Sequence, residues 1–99
     1  MIKVIEGYKV KSGEDIHPVL LKIRSQIVQY PGFVGAENFV DTKDGSIIAV
    51  VSTWQGVECW EVWEKSRMRQ ALLGQTEELL AEEPRITIYR IQPTTSWGH

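Results

Sequence analysis

The sequence has very few residues that could form covalent or metal cross-links. Its single cysteine, Cys59, cannot form an internal disulfide, and its two histidines, His17 and His99, do not form a zinc-ligand pattern. The longest unbroken apolar run, Ile47 to Val51, contains five residues, whereas a membrane-spanning helix needs about 20. We therefore expect no disulfide, no metal site and no membrane contact, and a fold that packing alone must stabilise.

Excess positive charge is also missing. The chain carries 11 basic and 13 acidic residues, for a net charge of −2, so nothing favours a nucleic-acid partner, which concentrated positive charge would attract. The small basic group Lys65, Arg67 and Arg69 is interpreted as a solvated helix face paired with Glu61 and Glu64. The N-terminus lacks the basic-then-apolar pattern of a signal peptide, which predicts a cytoplasmic protein.

The length and composition fit one small domain. Ninety-nine residues, 42% of them hydrophobic, are near the length at which a single core is adequate. We assign residues 1–92 to this domain and residues 93–99 to a C-terminal tail. Trp97 in the tail is expected either to fold back over a partner subunit or to belong to a frayed end.

Hydrophobic periodicity predicts the first half of the fold. Alternation over residues 2–10 indicates a strand with one apolar face, and apolar residues at helical spacing from Ile16 to Tyr30 indicate a helix. A second strand is predicted from Phe33 to Val40 and a third from Ser46 to Trp54. The sequence "DTKDG" between them is a strong hairpin signal, so these two strands should pair antiparallel.

The second half adds helices and a last strand. One helix is predicted from about Gln55 to Gly74, and a short helix capped by Thr76 is predicted to end at Glu83. A strand from Arg85 to Ile91 completes the order. The long helix should expose Glu58, Glu61, Lys65 and Arg69 and should turn Trp60, Trp63, Gln70 and Leu73 toward the sheet. This order predicts an α+β fold of the ferredoxin-like split β-α-β type, with a four-stranded antiparallel sheet.

The third strand is apolar on both sides. Ile47, Ala49 and Val51 alternate with apolar residues that point the other way, a pattern typical of strands buried on both faces. Two helices can cover only one face of the sheet, so we expect a second copy of the chain to cover the other in a homodimer. The alternative is a central strand with a tolerated exposed patch.

Several short signals resemble the antibiotic biosynthesis monooxygenase (ABM) superfamily. They are the segment "YPGFVG", the strand-end Trp54, and the spacing of Trp60, Trp63 and Ser66, within the same order of elements. The resemblance covers the chain up to its tail. It implies a dimeric α+β barrel, and it implies for an enzyme of this kind the oxidation of phenols or quinols by oxygen without metal, flavin or other cofactor.

The haem-degrading branch of that superfamily offers a second comparison. It uses an asparagine, a tryptophan and an iron-ligating histidine at the positions where this sequence has Glu6, Trp63 and Leu73. Only the tryptophan matches, and leucine cannot ligate iron. Haem degradation by that route is not expected, although haem binding through His17 remains a third hypothesis.

Glu6 is the candidate catalytic residue. It interrupts the apolar face formed by Ile2, Val4, Tyr8 and Val10. Burial without a cationic partner would raise its pKa and suit it to act as a general base or acid. Alternatively, Glu6 could lie near the sheet edge, reach solvent or pair with a lysine or arginine.

Trp60 and Trp63 are either core residues or the walls of a ligand slot. At helical spacing, two indoles most often build a core. The functional alternative is a flat slot beside Tyr8 and Phe39 in which a small aromatic molecule stacks, with Ser66 and Gln70 supplying polar groups. The substrate-binding candidates are therefore Tyr8, Phe39, Trp60, Trp63, Ser66, Gln70 and Leu73.

Trp54 and Cys59 are both interpreted as structural residues. Trp54 is expected in the dimer interface or over the start of the second helix, and Cys59 is expected to behave as a small buried hydrophobe. The sequence thus leaves two functions open. One is a cofactor-independent oxygenase acting on an aromatic substrate, and the other is a non-catalytic ligand-binding or assembly module on the same barrel.

Overall fold

A computed structural model describes residues 1–93 of the chain. Three helices and four strands follow one another, with one 3-10 turn at Glu77–Leu79 before the last strand. They are β1 (Ile2–Lys9), α1 (His17–Ile27), β2 (Phe33–Val40), β3 (Ile47–Trp54), α2 (Val57–Glu64), α3 (Arg67–Gly74) and β4 (Arg85–Arg90). The tail residues Trp97 and His99 lie outside the described part. No helix within residues 1–93 has the length and apolar character needed to cross a membrane.

The four strands form one antiparallel sheet in the order β2-β3-β1-β4. The predicted α+β plan of the ferredoxin-like type is therefore confirmed, including the hairpin between β2 and β3. In that hairpin, the Asp41 Oδ1 atom accepts the backbone N–H groups of Lys43 and Asp44 at 2.7 and 3.0 Å. A short polar side chain that satisfies its own turn in this way explains why the "DTKDG" signal is reliable.

The helices cover one face of the sheet, and two hydrophobic clusters lie between the layers. The first contains Trp54, Trp60 and Trp63 and is completed by Ile2, Val4, Ile27 and Leu72. The second contains Tyr8, Val10, Ile16, Leu20, Ile48 and Leu80. In β1, Glu6 stands between Val4 of the first cluster and Tyr8 of the second, so a carboxylate interrupts the core at its middle.

Trp54 belongs to this core and contacts α2 through Trp60, which agrees with its predicted position over the start of the second helix and not with the alternative in a dimer interface. Its side chain is fully buried on the helix-covered face, and its indole Nε1 donates to the Ser52 Oγ atom at 3.0 Å. The ring meets those of Phe33 and Trp60 edge to face, at centroid distances of 5.3 and 6.0 Å. The half-buried Cys59 packs against the same cluster, in keeping with its expected role as a small hydrophobe.

The predicted long helix is two helices. α2 ends at Glu64, and Ser66 is the N-cap of α3, with its Oγ atom accepting the Arg69 backbone N–H at 3.1 Å. The same hydroxyl donates to the Trp63 carbonyl oxygen at 2.7 Å. Serine is a preferred N-cap because its short side chain satisfies a free helix N–H. The cap lets the chain change direction, so residues after Ser66 no longer share a face with those before it.

The predicted helix from Thr76 to Glu83 is also shorter than expected. Only the 3-10 turn at Glu77–Leu79 forms, and Leu80 then makes an isolated bridge with Val10. The Thr76 hydroxyl donates backward to the Leu73 carbonyl oxygen at 2.7 Å, and its side chain makes no N-cap bond. Burial of Leu80 in the second cluster outweighs the local preference for a continued helix.

The other face of the sheet is not covered by any part of residues 1–93. Apolar side chains there include the half-exposed Phe39 and Tyr89 and the partly buried Ile5, Ala49 and Val51. The register places Ile5 and Glu37 on either side of Val51, and Gly7 and Phe39 on either side of Ala49. The apolar character of β3 on both sides, inferred from the sequence, is thus present in the fold.

Candidate functional site

A large cavity lies at one edge of the molecule, between α3, the 3-10 turn and the start of β4. Its volume is about 510 Å³, which is within the range of small-molecule sites. Arg69, Gln70 and Leu73 of α3 form one side. The remaining lining residues are Gly74, Thr76, Glu77, Leu80, Glu82, Glu83, Pro84 and Ile86. The wall formed by residues 1–93 is therefore apolar in part, and its charged groups are one arginine and three glutamates.

Arg69 is the lining residue with the most unusual environment. Its side chain is only 5% exposed, and its Nη2 atom lies 3.2 Å from the Oε2 atom of Glu6, whose side chain is 8% exposed. The guanidinium group also lies over the Trp60 ring, with Cζ 5.1 Å from the ring centroid. A charge taken out of water is stable only when it is paired and hydrogen-bonded, and each partner here supplies that condition for the other.

Tyr8 completes the network on β1. Its hydroxyl donates to the same Glu6 oxygen, Oε2, at 2.9 Å. Burial raises the pKa of the Tyr8 phenol far above its ordinary value, and the charge of Glu6 and the hydrogen bond to it act in the same direction, while Arg69 opposes them. Tyr8 therefore stays protonated and serves as a fixed hydrogen-bond donor.

Glu6 faces the helices, as the sequence indicated. Its carboxylate is paired with Arg69, which agrees with the alternative prediction that Glu6 pairs with a lysine or arginine. Both bonds from protein groups use Oε2, and no side-chain bond within residues 1–93 uses Oε1. Glu6 does not line the cavity itself, although Ile86, its register partner on β4, does.

The predicted position of Arg69 in a solvated basic group is wrong, because its side chain is buried. The cap at Ser66 restarts the helix, which turns Arg69 toward the sheet while Lys65 and Arg67 stay exposed. Two features of the sequence point to the buried position of Arg69. Ser66 is a residue type favoured at helix N-caps, and the carboxylate of Glu6 on an apolar strand face requires a nearby cation.

Trp60 and Trp63 form packed core and do not enclose a slot. They are 0% and 1% exposed, and the Trp63 ring meets that of Tyr30 edge to face at 4.8 Å. Neither lines the large cavity. The Nε1 atom of Trp60 is buried and has no hydrogen-bond partner within residues 1–93. Trp60 and Trp63 are therefore core residues, the role that two indoles at helical spacing most often have.

The other predicted binding residues separate into two groups. Gln70 and Leu73 line the cavity, with the Gln70 Nε2 atom donating to the Glu64 carbonyl oxygen at 3.0 Å. Ser66 is used as the α3 cap and does not line it. Phe39 lies on the opposite face of the sheet from Tyr8, so the expected slot beside those two rings does not form within one chain.

A register shift explains the position of Phe39. Phe33 is opposite Trp54 on the helix-covered face, and strict alternation would place Phe39 on that face too. A bulge between Phe33 and Gly35 inserts one residue, and Phe39 is consequently opposite Ala49 on the other face. One extra residue reverses the facing of every side chain that follows it.

Neither position considered for haem from the sequence has a suitable ligand within residues 1–93. Leu73, which the resemblance aligns with the iron-ligating histidine, lines the large cavity and cannot ligate iron. His17 is exposed at the start of α1, where its Nδ1 atom lies 2.9 Å from the Asp15 Oδ1 atom, and it lines a separate cavity of about 230 Å³. No group of three or more potential metal ligands occurs within residues 1–93.

Comparison with known proteins identifies the fold. Neither a protein-family model nor a curated protein matches the chain by sequence. A conserved protein from Methanosarcina mazei Go1 superposes with a TM-score of 0.86 at 16% identity, over 92% of both chains. SnoaB, a cofactor-independent oxygenase from Streptomyces nogalater, gives 0.83 at 10% identity over 94% of both chains. A protein named antibiotic biosynthesis monooxygenase gives 0.76 at 21% identity, over 94% of this chain and 100% of its own. The chain has the ABM fold.

The buried pair gives a first prediction, on stability. Glu6→Gln and Arg69→Gln should each lower the free energy of unfolding by about 3–5 kcal/mol, because each leaves a buried charge without its partner. The double variant should lose clearly less than the sum of the two. Urea unfolding followed by tryptophan fluorescence measures all three. The exposed Arg67→Gln on the same helix is the control and should change stability by less than about 0.5 kcal/mol. Additive losses would show that the two side chains do not interact.

Tyr8 gives a second prediction, on pH. Because its pKa is raised in the folded state, the unfolded chain loses this proton first as the pH rises. The contribution of Tyr8 to stability is therefore complete below about pH 10 and falls by about 1.4 kcal/mol for each pH unit above it. Unfolding measured between pH 9 and 11 should show a steeper decline for the native chain than for Tyr8→Phe. Tyr89→Phe, which removes a half-exposed phenol, should follow the native chain; parallel curves for all three would contradict the assignment.

Proposed function

We propose that this chain, with the fold of the ABM superfamily, is a small-molecule oxygenase that oxidises an aromatic phenol or quinol without a bound metal or flavin. The observation that carries the proposal is the cavity of about 510 Å³ with the buried Arg69 in its wall. Perturbed or tightly paired charged groups beside a cavity are typical of functional sites. The fold shared with a cofactor-independent oxygenase supports the reaction class.

The proposed reaction needs no external reductant. A base removes a proton from the substrate, and the resulting electron-rich anion reduces molecular oxygen. One oxygen atom is inserted at a ring carbon as a carbonyl, and the other leaves as water with two hydrogens from the substrate, one from that carbon and one from its hydroxyl group. The substrate supplies all the electrons. The protein must therefore bind the anion, position the base and exclude bulk water.

Two side chains have roles in this scheme. Glu6 is the proposed base, since its Oε1 atom accepts no side-chain bond within residues 1–93 while Oε2 is held by Tyr8 and Arg69. Arg69 would stabilise the substrate anion, because fixed donors aimed at developing negative charge lower the barrier in a site with little water. Gln70 and Leu73 would contact the substrate body.

A non-catalytic ligand-binding module is the second candidate. It is favoured by the position of Glu6, whose carboxylate is hydrogen-bonded to Tyr8 and Arg69 and does not line the cavity. Trp60 and Trp63 pack into the core, and no aromatic side chain from residues 1–93 lines the cavity. Under this alternative the cavity binds its ligand and no oxygen is consumed.

The proposal includes a homodimer. The uncovered face of the sheet carries apolar side chains from neighbouring strands, among them Ile5, Phe39, Ala49, Val51 and Tyr89. Contiguous apolar surface of this kind is typical of protein interfaces. A two-fold dimer packed sheet to sheet would bury it, and it would place Phe39 in the interface.

The dimer gives a third prediction. Light scattering after size-exclusion chromatography should give about twice the chain mass of 11.3 kDa. Val51→Lys, in the middle of the uncovered face, should yield a folded monomer, because the dimer would bury an unpaired charge. Val62→Lys is the matched control on the exposed side of α2, where Val62 is 61% exposed, and should remain dimeric. A native chain that runs as a stable monomer would exclude this assembly.

A fourth prediction tests the reaction and the cavity together. Purified protein treated with a chelator should consume oxygen with at least one member of a panel of naphthols and hydroquinones. Leu73→Trp should lower this rate at least tenfold by filling the cavity, whereas Leu21→Trp, at a position that is 70% exposed on α1, should not. Ligand binding without oxygen uptake would instead select the non-catalytic alternative.

A further inference from the structure

The guanidinium group of Arg69 has unused hydrogen-bonding capacity. Arginine carries five N–H donors and cannot lose its charge. Within residues 1–93, its side chain donates to the Glu6 Oε2 atom at 3.2 Å and, at the limit of a hydrogen bond, to the Glu64 carbonyl oxygen at 3.5 Å. Three donors of a nearly buried cation are therefore left for a group that enters from the cavity.

Glu6 and Tyr8 hold that cation in place. The carboxylate is fixed by the Tyr8 hydroxyl at 2.9 Å, and it fixes one edge of the guanidinium group in turn. The Trp60 ring covers a face of the group, with Cζ 5.1 Å from the ring centroid. Since donors held rigidly in advance need little reorganisation on binding, the free edge of Arg69 is suited to an oxygen anion.

The rim of the cavity has the opposite charge. Glu77, Glu82 and Glu83 are exposed lining residues, and among the lining residues of the described range 1–93 Arg69 is the single basic one. Like charges in proximity repel, so the rim disfavours a ligand that carries several negative charges. A ligand with one anionic group at Arg69 and a neutral or cationic remainder avoids that repulsion.

We propose that the cavity selects ligands that carry a single anionic oxygen group, a phenolate or a carboxylate, which is bound by Arg69, and that it rejects polyanions. Arg69 is thus the specificity-determining residue. Tyr8 and Glu6 hold its guanidinium group in position, and for Glu6 this is in addition to its proposed role as base. The inference rests on the proposed function only in taking this cavity as the ligand site. It excludes nucleotides and other phosphorylated compounds as ligands.

The first test varies the probe and leaves the protein unchanged. Calorimetric titration compares 2-naphthoate, its neutral analogue 2-naphthamide, and naphthalene-2,6-dicarboxylate. The monoanion should bind at least tenfold more tightly than the amide and than the dianion, where tenfold is about 1.4 kcal/mol. A second arm uses 4-nitrophenol, whose ionised form absorbs in the visible; at a pH where the free phenol is mostly neutral, binding should increase that absorption.

The second test varies the protein. Arg69→Gln should remove the preference for 2-naphthoate over 2-naphthamide and abolish the nitrophenolate signal. Arg67→Gln makes the same charge change at an exposed position of α3 and should behave as the native chain does. If Arg69→Gln does not fold, the double variant Glu6→Gln/Arg69→Gln, which leaves no unpaired buried charge, replaces it.

The outcomes separate this inference from the proposed function. Equal binding of the monoanion and the amide, or a dianion that binds best, would overturn the role of Arg69 and keep the cavity as a binding site. A preference for the monoanion that persists in the Arg69 variants would also overturn the role of Arg69 and keep the cavity as a binding site. Absence of binding by every probe, or binding that Leu73→Trp does not weaken, would overturn both.

Discussion

The ion pair between Arg69 and Glu6 is the interaction on which the site depends. It lies between the two hydrophobic clusters and joins α3 to the central strand β1. Burying two charges costs more than the attraction returns unless their remaining groups are satisfied. Tyr8 and the Trp60 ring provide part of that satisfaction. Two apolar side chains in these positions would stabilise the same fold without the cost of burying charges. The presence of a charged network is therefore consistent with a role in ligand binding.

Packing decides where a ligand can enter. The tryptophans fill the space between α2 and the sheet, so the interior beside them is closed. α3, displaced by the Ser66 cap, leaves a cavity against β4, whose helix-facing residues Ile86 and Ile88 remain 40% and 43% exposed. The shared fold thus supplies a scaffold, and this chain's own cap and charged residues determine the chemistry of the cavity.

Local patterns were sufficient for the sheet and insufficient for the site. Alternation along β1 and β3 and the "DTKDG" turn predicted the strands, their pairing and the apolar character of both faces. Helical spacing predicted that Trp60 and Trp63 turn inward, which they do. The same spacing, continued through Ser66, placed Arg69 in solvent, because a periodic pattern contains no information about where a cap restarts the helix.

The sequence by itself determined the fold class, since the two-residue and 3.6-residue periods set which face of each element is apolar. Only the tertiary structure decided that Glu6 meets Arg69, which is 63 residues away along the chain. It also decided that Phe39 leaves the helix-covered face, through a one-residue bulge. Both results depend on contacts between distant segments, and the period of a single segment does not encode such contacts.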